Sequence, residues 1–382
     1  MIEWSETDRL IRDAVREFVD REIRPHVDEL EHGDLPPYDL IRTFFKTFGI
    51  DALARESFDP ERERGGGSDS GREALSLIAV SELSRVCLGL VTAMGVSVGL
   101  AGGTIMSRGT PEQRTRWAKD LLTFDKIGAW AITEPDSGSD AFGGMRSVAR
   151  RDGDGFVLNG QKTFITNGPY ADTLVVYAKL DGEVATFVLD SGMPGLTRSA
   201  PLRKMGLHSS PTGQLFFDDI RLSPDRLLPG GGRDSARANF TTERFGVAAM
   251  ALGVIEECLR LCVDYAKTRT LWGQPIGDFQ LIQLKLATME VARLNVQNLV
   301  FRTVELLREG RTPTLAEASA IKLYASQAAT EVAMEAVQLF GGNGYMAEYR
   351  VEQLARDAKS LMIYAGSNEI QVTHIAKDLL SR

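Results

Sequence analysis

At 382 residues, with 43% hydrophobic and 25% charged side chains, the chain has ordinary globular composition and length for two or three domains with ample core. A formal net charge of -8 argues against a nucleic-acid partner. Three cysteines (Cys87, Cys258, Cys262) cannot form a disulfide framework and four histidines (His26, His32, His208, His374) lack metal-ligand spacing, so a reduced, cytoplasmic protein without a metal is expected.

Glu3, Glu6, Asp8 and Arg9 interrupt the opening, so no secretory signal is expected. Residues 1–125 read as a helical domain. Ser5 caps a helix with Leu10, Ile11, Ala14, Val15, Phe18 and Val19 at helical spacing. Leu40, Ile41, Phe44 and Phe45 begin a second helix that stops near Gly49. The polar stretch Asp59–Gly71, centred on Gly65-Gly66-Gly67, reads as a mobile loop before a helix at Arg72–Ser84. Between Arg85 and Arg108 no charge occurs, a run long enough to cross a bilayer. Its glycines (Gly89, Gly95, Gly99, Gly102, Gly103) and its lack of aromatic anchors or flanking basic clusters favour a buried helix over a membrane span. Thr110-Pro111-Glu112-Gln113 is a helix start with proline at its first position.

Near Lys126 the pattern changes to alternating, β-branched runs: Gly128–Thr133, Arg146–Arg150, Gly155–Thr166, Thr173–Lys179, Val184–Leu189 and Gln214–Phe217. Asp152-Gly153-Asp154-Gly155 and Asp181-Gly182 are hairpin turns, and residues 126–228 read as a small β-barrel domain. Glycine-rich Pro229–Gly232 opens a second helical domain, residues 229–382. Its helices at Thr242–Arg269, Phe279–Glu309 and Thr314–Leu339 are long enough for an antiparallel bundle.

Several stretches carry chemistry. Gln338-Leu339-Phe340 runs into Gly341-Gly342-Asn343-Gly344-Tyr345, where missing side chains let backbone N–H groups approach a phosphate. Farther on, Tyr364-Ala365-Gly366-Ser367-Asn368-Glu369-Ile370-Gln371 is a turn feeding a helix, with Ser367 as N-cap and Glu369 favoured in the first turn. Trp130-Ala131-Ile132-Thr133-Glu134-Pro135-Asp136-Ser137-Gly138-Ser139-Asp140 ends a strand in a turn that offers N–H groups and hydroxyls to a polar ligand.

With the Arg356-Asp357-Ala358-Lys359 helix between the two C-terminal segments, this order resembles the acyl-CoA dehydrogenase family of flavoproteins. The likeness covers essentially the whole chain. It implies an α+β fold with an N-terminal helical domain, a middle β-barrel and a C-terminal four-helix bundle, and it implies FAD as cofactor. The Trp130–Asp140 turn resembles the family's T-E-P-x-x-G-S-D, except that Asp136-Ser137 replaces the more usual Gly-Ala. Asn159-Gly160-Gln161-Lys162-Thr163-Phe164-Ile165-Thr166-Asn167 resembles its N-G-x-K-x-[WF]-I-T-N. The resemblance places Trp130 in the cofactor site, Ile132 and Thr133 on the pyrimidine side of the isoalloxazine, and Ser139 on the diphosphate. Phe164 would pack beside the flavin, a role compatible with its plain reading as a barrel-core aromatic, and Thr166 would bond the reactive N5. Arg269-Thr270-Leu271-Trp272-Gly273 with Phe279-Gln280 resembles a segment that reaches FAD held by a neighbouring subunit. Arg269 would neutralise diphosphate and Trp272 would pack on the nucleotide. Gln280, Gln338, Gly341, Gly342, Ser367 and Glu369 complete the implied cofactor set, and sites shared between chains imply a homotetramer.

The family's reaction removes an α-proton from an acyl thioester, which needs a carboxylate base and donors for the thioester oxygen. Many relatives place the base just before the Gly-[ST] pair, where this chain has Ala365. Either the site is dead or the base comes from elsewhere, and Glu243, expected at the start of the bundle's first helix, resembles the isovaleryl-CoA dehydrogenase placement. Ala365 keeps a backbone N–H as donor, and Arg244 would orient Glu243 or nearby helix ends. The uncharged helix resembles the one beneath the acyl pocket, with Val91, Met94, Gly95 and Val98 at helical spacing and Gly95 leaving room for a bulky acyl group. An acyl-CoA substrate and an electron-transfer flavoprotein are the implied partners. The alternatives are a dehydrogenase or enoyl reductase on carrier-protein-bound acyl groups, an oxidase, and a non-catalytic subunit of an active paralogue.

Overall fold

The computed structural model describes residues 3–58 and 72–381. The expected loop at Asp59–Gly71 lies outside the described residues.

The first helical layer comprises α1 (Glu6–Phe18), α2 (Val27–His32), α3 (Tyr38–Thr47), α4 (Ile50–Glu56) and α5 (Arg72–Val86). Ser5 closes a capping box with Asp8 at the start of α1, which buries Val15 and Phe18. The uncharged run forms one continuous helix, Leu88–Arg108, made of α6 (Leu88–Gly95), a π-helical stretch Val96–Gly102 and α7 (Gly103–Arg108). It is long and apolar enough to span a membrane by composition, but 67% of its most apolar window is buried in the fold. It packs tightly on the sheet at Gly128, where an added Cβ would stand 2.9 Å from that of Ala101. The Gly128 N–H donates to Ser97 Oγ at 2.8 Å. Thr110 and Gln113 close a second capping box at α8 (Pro111–Gln113), and α9 (Lys119–Leu122) follows.

Among the described residues seven strands form the curled middle sheet: β1 (Gly128–Ala131), β2 (Val148–Asp152), β3 (Gly155–Thr166), β4 (Thr173–Leu180), β5 (Glu183–Asp190), β6 (Leu196–Arg198) and β7 (Thr212–Leu222). The order is β1-β4-β2-β3-β7-β6, with β5 on the other side of β4. Both expected hairpin turns join antiparallel neighbours, β2 to β3 and β4 to β5. The three-residue β6 is too short to show alternation in sequence.

The C-terminal bundle contains α10 (Gly232–Thr268), α11 (Gln280–Arg308), α12 (Leu315–Phe340), α13 (Val351–Ser360) and α14 (Asn368–Leu380), with a small ribbon of β8 (Thr270–Leu271) and β9 (Gln274–Pro275) before α11. Helix α10 starts ten residues ahead of the expected Thr242, so Glu243 lies about three turns inside it rather than at its start. A carboxylate there is too far from the helix end to serve the dipole. Residue α10 Glu257 is fully buried and takes Arg24 of the N-terminal layer at 2.7 Å and Arg85 at 3.4 Å, which pins that layer to the bundle.

Asn167 ties sheet to helices. Its Nδ2 donates to the carbonyls of Ala93 and Gly128, each at 2.9 Å, and its Oδ1 accepts from Tyr38 Oη at 3.1 Å. Its φ of 63° is one that asparagine tolerates better than most side chains. Asn167→Ala takes away the acceptor of the buried Tyr38 hydroxyl and a donor to two carbonyls, and a buried orphan costs about 1–3 kcal/mol before relaxation. A loss of about 2–3 kcal/mol in urea unfolding is the expected result.

Candidate functional site

The sheet side of the site is assembled by one buried ion pair. Lys162 Nζ donates to Glu134 Oε1 at 2.8 Å and to the Ile132 carbonyl at 3.0 Å, and its side chain is 0% exposed. Glu134 also accepts the N–H groups of Arg146 at 2.5 Å and Ser147 at 2.9 Å. The two strand motifs are thereby locked together, with the Thr163 N–H donating to the Thr133 carbonyl at 2.9 Å. Trp130 is buried against Tyr177 and Phe240, Ile132 is buried, and Thr133 and Thr166 are half-buried. The unusual Asp136-Ser137 pair is accommodated locally. Ser137 Oγ donates to the Asp140 carbonyl at 2.7 Å, and Asp136 meets Arg146 at 2.8 Å. Ser139 is exposed on that turn.

Phe164 is not a core residue. The β3–β7 register shifts between Lys162 and Ile165, and this bulge puts Phe164 at φ 57° with 67% of its surface exposed. Its two strand neighbours, Thr163 and Ile165, are buried instead. A strained, outward aromatic at the edge of the site fits a flat ring system laid against it.

On the bundle side, Glu243 is half-buried. Burial pushes its carboxyl up to about 7, against the opposing charges of Arg244 and Lys322. Arg244 is buried and does not bond Glu243. It reaches the turn after α13 instead, with Nε to the Ala365 carbonyl at 3.4 Å and Nη1 to Ser319 Oγ at 3.0 Å. Gln371 Nε2 donates to the same carbonyl at 3.1 Å. Ala365 is buried with φ 57°, and no acceptor among the described residues takes its N–H. Ser367 occupies the N-cap position of α14 without the side-chain cap bond expected of it, and Glu369 is exposed. Burial raises the Tyr364 hydroxyl, which lies near Glu243 and Thr92 and donates to Met250 Sδ at 3.4 Å.

Of the expected acyl-pocket residues, Val91 is fully buried in the core shared with the sheet, so it faces no open space. Met94, Gly95 and Val98 are half-buried, and a Cβ on Gly95 would meet nothing within 4 Å. Gly246 of α10 is equally open.

A separate groove of about 880 Å³ gathers Arg269, Trp272, Phe279, Gln280, Gly341 and Gly342. Trp272 is 84% exposed at φ 51°, Arg269 and Gln280 are exposed, and side chains added at Gly341 or Gly342 would meet nothing within 4 Å. Gln338 is exposed one turn before but does not line the groove. Every lining residue belongs to the bundle and none to the sheet.

Fold and site together define a helical protein built around a curled sheet, with a raised carboxyl on one face and open backbone at a groove on another. Residues 5–125 match the Acyl-CoA dehydrogenase, N-terminal domain, residues 129–220 the Acyl-CoA dehydrogenase, middle domain, and residues 230–380 the Acyl-CoA dehydrogenase, C-terminal domain. An acyl-CoA dehydrogenase of Bacillus subtilis (strain 168) is 37% identical over 380 residues, 97% of each chain. Butyryl-CoA dehydrogenase from Megasphaera elsdenii superposes with a TM-score of 0.90 at 34% identity, covering 100% of both chains. A glutaryl-CoA dehydrogenase from Mycobacterium smegmatis in complex with FADH2 gives a TM-score of 0.88 at 29% identity, covering 99% of this chain and 96% of that one. The chain belongs to the acyl-CoA dehydrogenase family, a family of oxidoreductases.

Sequence reasoning overlooked Lys162, Glu134, Asn167, Lys322 and Gln371 as parts of this architecture. Lys162, Glu134, Asn167 and Gln371 stand inside the motifs and Lys322 in none of them, and a lysine amid β-branched strand residues was the available signal.

Proposed function

We propose that the protein is an FAD-dependent dehydrogenase of acyl-CoA thioesters in which Glu243 removes the α-proton. The observation that carries this reading is the half-buried Glu243, raised toward neutrality, one residue from the arginine that grips Ala365. A carboxyl poised near 7 is suited to taking a proton at neutral pH. The N–H of Ala365, which has no acceptor among the described residues, is available to the thioester oxygen, where charge develops as the proton leaves. Open space at Gly95 accommodates a branched or bulky acyl group.

The residues fit FAD. The outward Phe164 offers a flat apolar face, Thr133 and Thr166 offer hydroxyls beside it, and Arg269 with bare Gly341-Gly342 suits a diphosphate. Bound FAD supplies the acceptor for the hydride leaving the β-carbon. Because the groove is lined by the bundle alone, we read Arg269, Trp272, Gln280, Gln338 and the two glycines as serving a neighbouring copy, in a homotetramer that passes electrons to an electron-transfer flavoprotein. Arg269→Ala removes an exposed cation and should weaken FAD binding at least about tenfold, from a charge-assisted bond of about 1.5–3 kcal/mol, with the fold intact. Calorimetric titration of FAD into apoprotein measures this.

The deciding experiment is anaerobic mixing of the flavin-loaded protein with short, branched, aromatic and long acyl thioesters, on CoA and on a carrier protein. Bleaching of the yellow absorbance by one CoA thioester class is the expected result. Bleaching by none of them would overturn the reading.

A further inference from the structure

Lys322 of α12 is 0% exposed, and the bonds its ammonium makes among the described residues go to no carboxylate. Its ammonium donates to two neutral acceptors, the Gly366 carbonyl and Asn368 Oδ1, each at 2.9 Å. Ser326 Oγ supports the same Asn368 oxygen at 3.1 Å. A buried ammonium with no carboxylate bonded to it is costly, and an apolar residue of similar length would fill the space at lower free energy. Something in this corner needs the charge or its donors.

The turn it grips is the one that carries Ala365. Two consecutive carbonyls there point into the bundle: Ala365 O meets Arg244 and Gln371, and Gly366 O meets Lys322 and Gln371. Gly366 sits at φ 82°, and a Cβ on it would come 2.8 Å from Gln371 Nε2, so the backbone runs tight against these donors. With both carbonyls drawn inward, the left-handed φ of 57° at Ala365 sets the direction of its own N–H. An alanine holds that φ only when its surroundings enforce it.

We infer that Lys322 is a positioning residue for the reaction: its ammonium fixes the 365–368 turn so that the Ala365 N–H stays presented to the acyl oxygen. This rests on the assignment of Glu243 and Ala365 made above. Lys322 also faces Glu243 and Arg244 from α10 and Glu369 from α14, and its charge favours ionised Glu243. Burial lowers the lysine to about 8, so it remains mostly charged at neutral pH. Besides Lys322, Glu243 faces Arg244 on its own helix and the Tyr364 hydroxyl.

K322M and K322R are compared with wild type as flavin-loaded proteins. In K322M, kcat falls about 100-fold with KM within about threefold, the scale of losing one aligned oxyanion donor. The acid limb of kcat/KM moves to higher pH because a positive charge beside the base is gone. Amide hydrogen exchange of residues 363–368, read without substrate, speeds at least about tenfold. K322R keeps charge and donors and restores the pH limb and most of the protection. Where K322M fails to fold, K322Q takes its place and the same outcomes decide. Turn exchange and kcat both within twofold of wild type in the neutral variant would overturn the proposal. So would K322R matching K322M in exchange and pH limb. Exchange without substrate reports on Lys322 whether or not Glu243 is the base, and α-deuterium uptake in E243A reports on Glu243 alone.

Discussion

Glu243→Ala is expected to lower kcat by about 10²–10⁴-fold, the usual contribution of a positioned general base. Flavin content should stay the same, because no flavin-contacting role is assigned to this side chain. The substitution removes a carboxylate that has no hydrogen bond among the described residues and whose charged form burial disfavours. The pH dependence follows from that raised carboxyl. The base must be ionised to act, so wild-type kcat/KM should climb as pH rises through about 7 and then level off. The variant should lose that limb along with its rate. Stability moves the other way. A carboxyl whose folded pKa is raised favours the fold while protonated, so wild type should lose stability relative to E243A as pH rises from the ordinary 4.5 through about 7. Incubation of a substrate thioester in D₂O with either protein measures proton abstraction directly. Undiminished deuterium uptake at the α-carbon in E243A would remove Glu243 from the mechanism.

The second large effect is on stability. Lys162→Met should destabilise the protein by about 3–5 kcal/mol, because it leaves Glu134 buried with its charge unpaired. The pair is ionised at neutral pH. Burial pulls Lys162 down to about 8 against the attraction of Glu134. Burial would raise Glu134, but Lys162 and the surrounding N–H donors hold it below the usual carboxylate range. E134Q combined with K162M should recover part of the loss, since no charge remains unpaired; the recovery is only partial because Arg146 and Ser147 donate to different carboxylate oxygens and the amide oxygen can keep only one of them. Urea unfolding of the single and double variants measures both steps. A change below about 1 kcal/mol in K162M would show the pair to be incidental. The consequence for the site is local: Lys162 also holds the Ile132 carbonyl, so flavin retention should fall with stability in K162M.

The legible part of this protein was what local pattern controls. Period-2 alternation marked β3 at Gly155–Thr166, the limits the structure has, and Ser5 and Thr110 capped the helices expected of them. The substitution of alanine for acid at position 365, with a glutamate at 243, was visible in one dimension. Its meaning was not. Residues 232–241, polar and small, carry no apolar period, yet they are helical because Ala236 is buried and Phe240 packs edge-on against Trp130 of the sheet, 5.6 Å between centroids. A bulge whose register depends on the facing strand turned Phe164 from core to edge. Arg244 stands next to Glu243 in sequence but grips a carbonyl 121 residues away, and Lys322 meets that turn from a third helix. Caps and periodicity are set by neighbours within a turn or two, so the chain alone determines them. The titration of Glu243, the left-handed turn at Ala365 and the groove around Trp272 depend on desolvation and on donors brought from distant segments, so only the tertiary structure decides them.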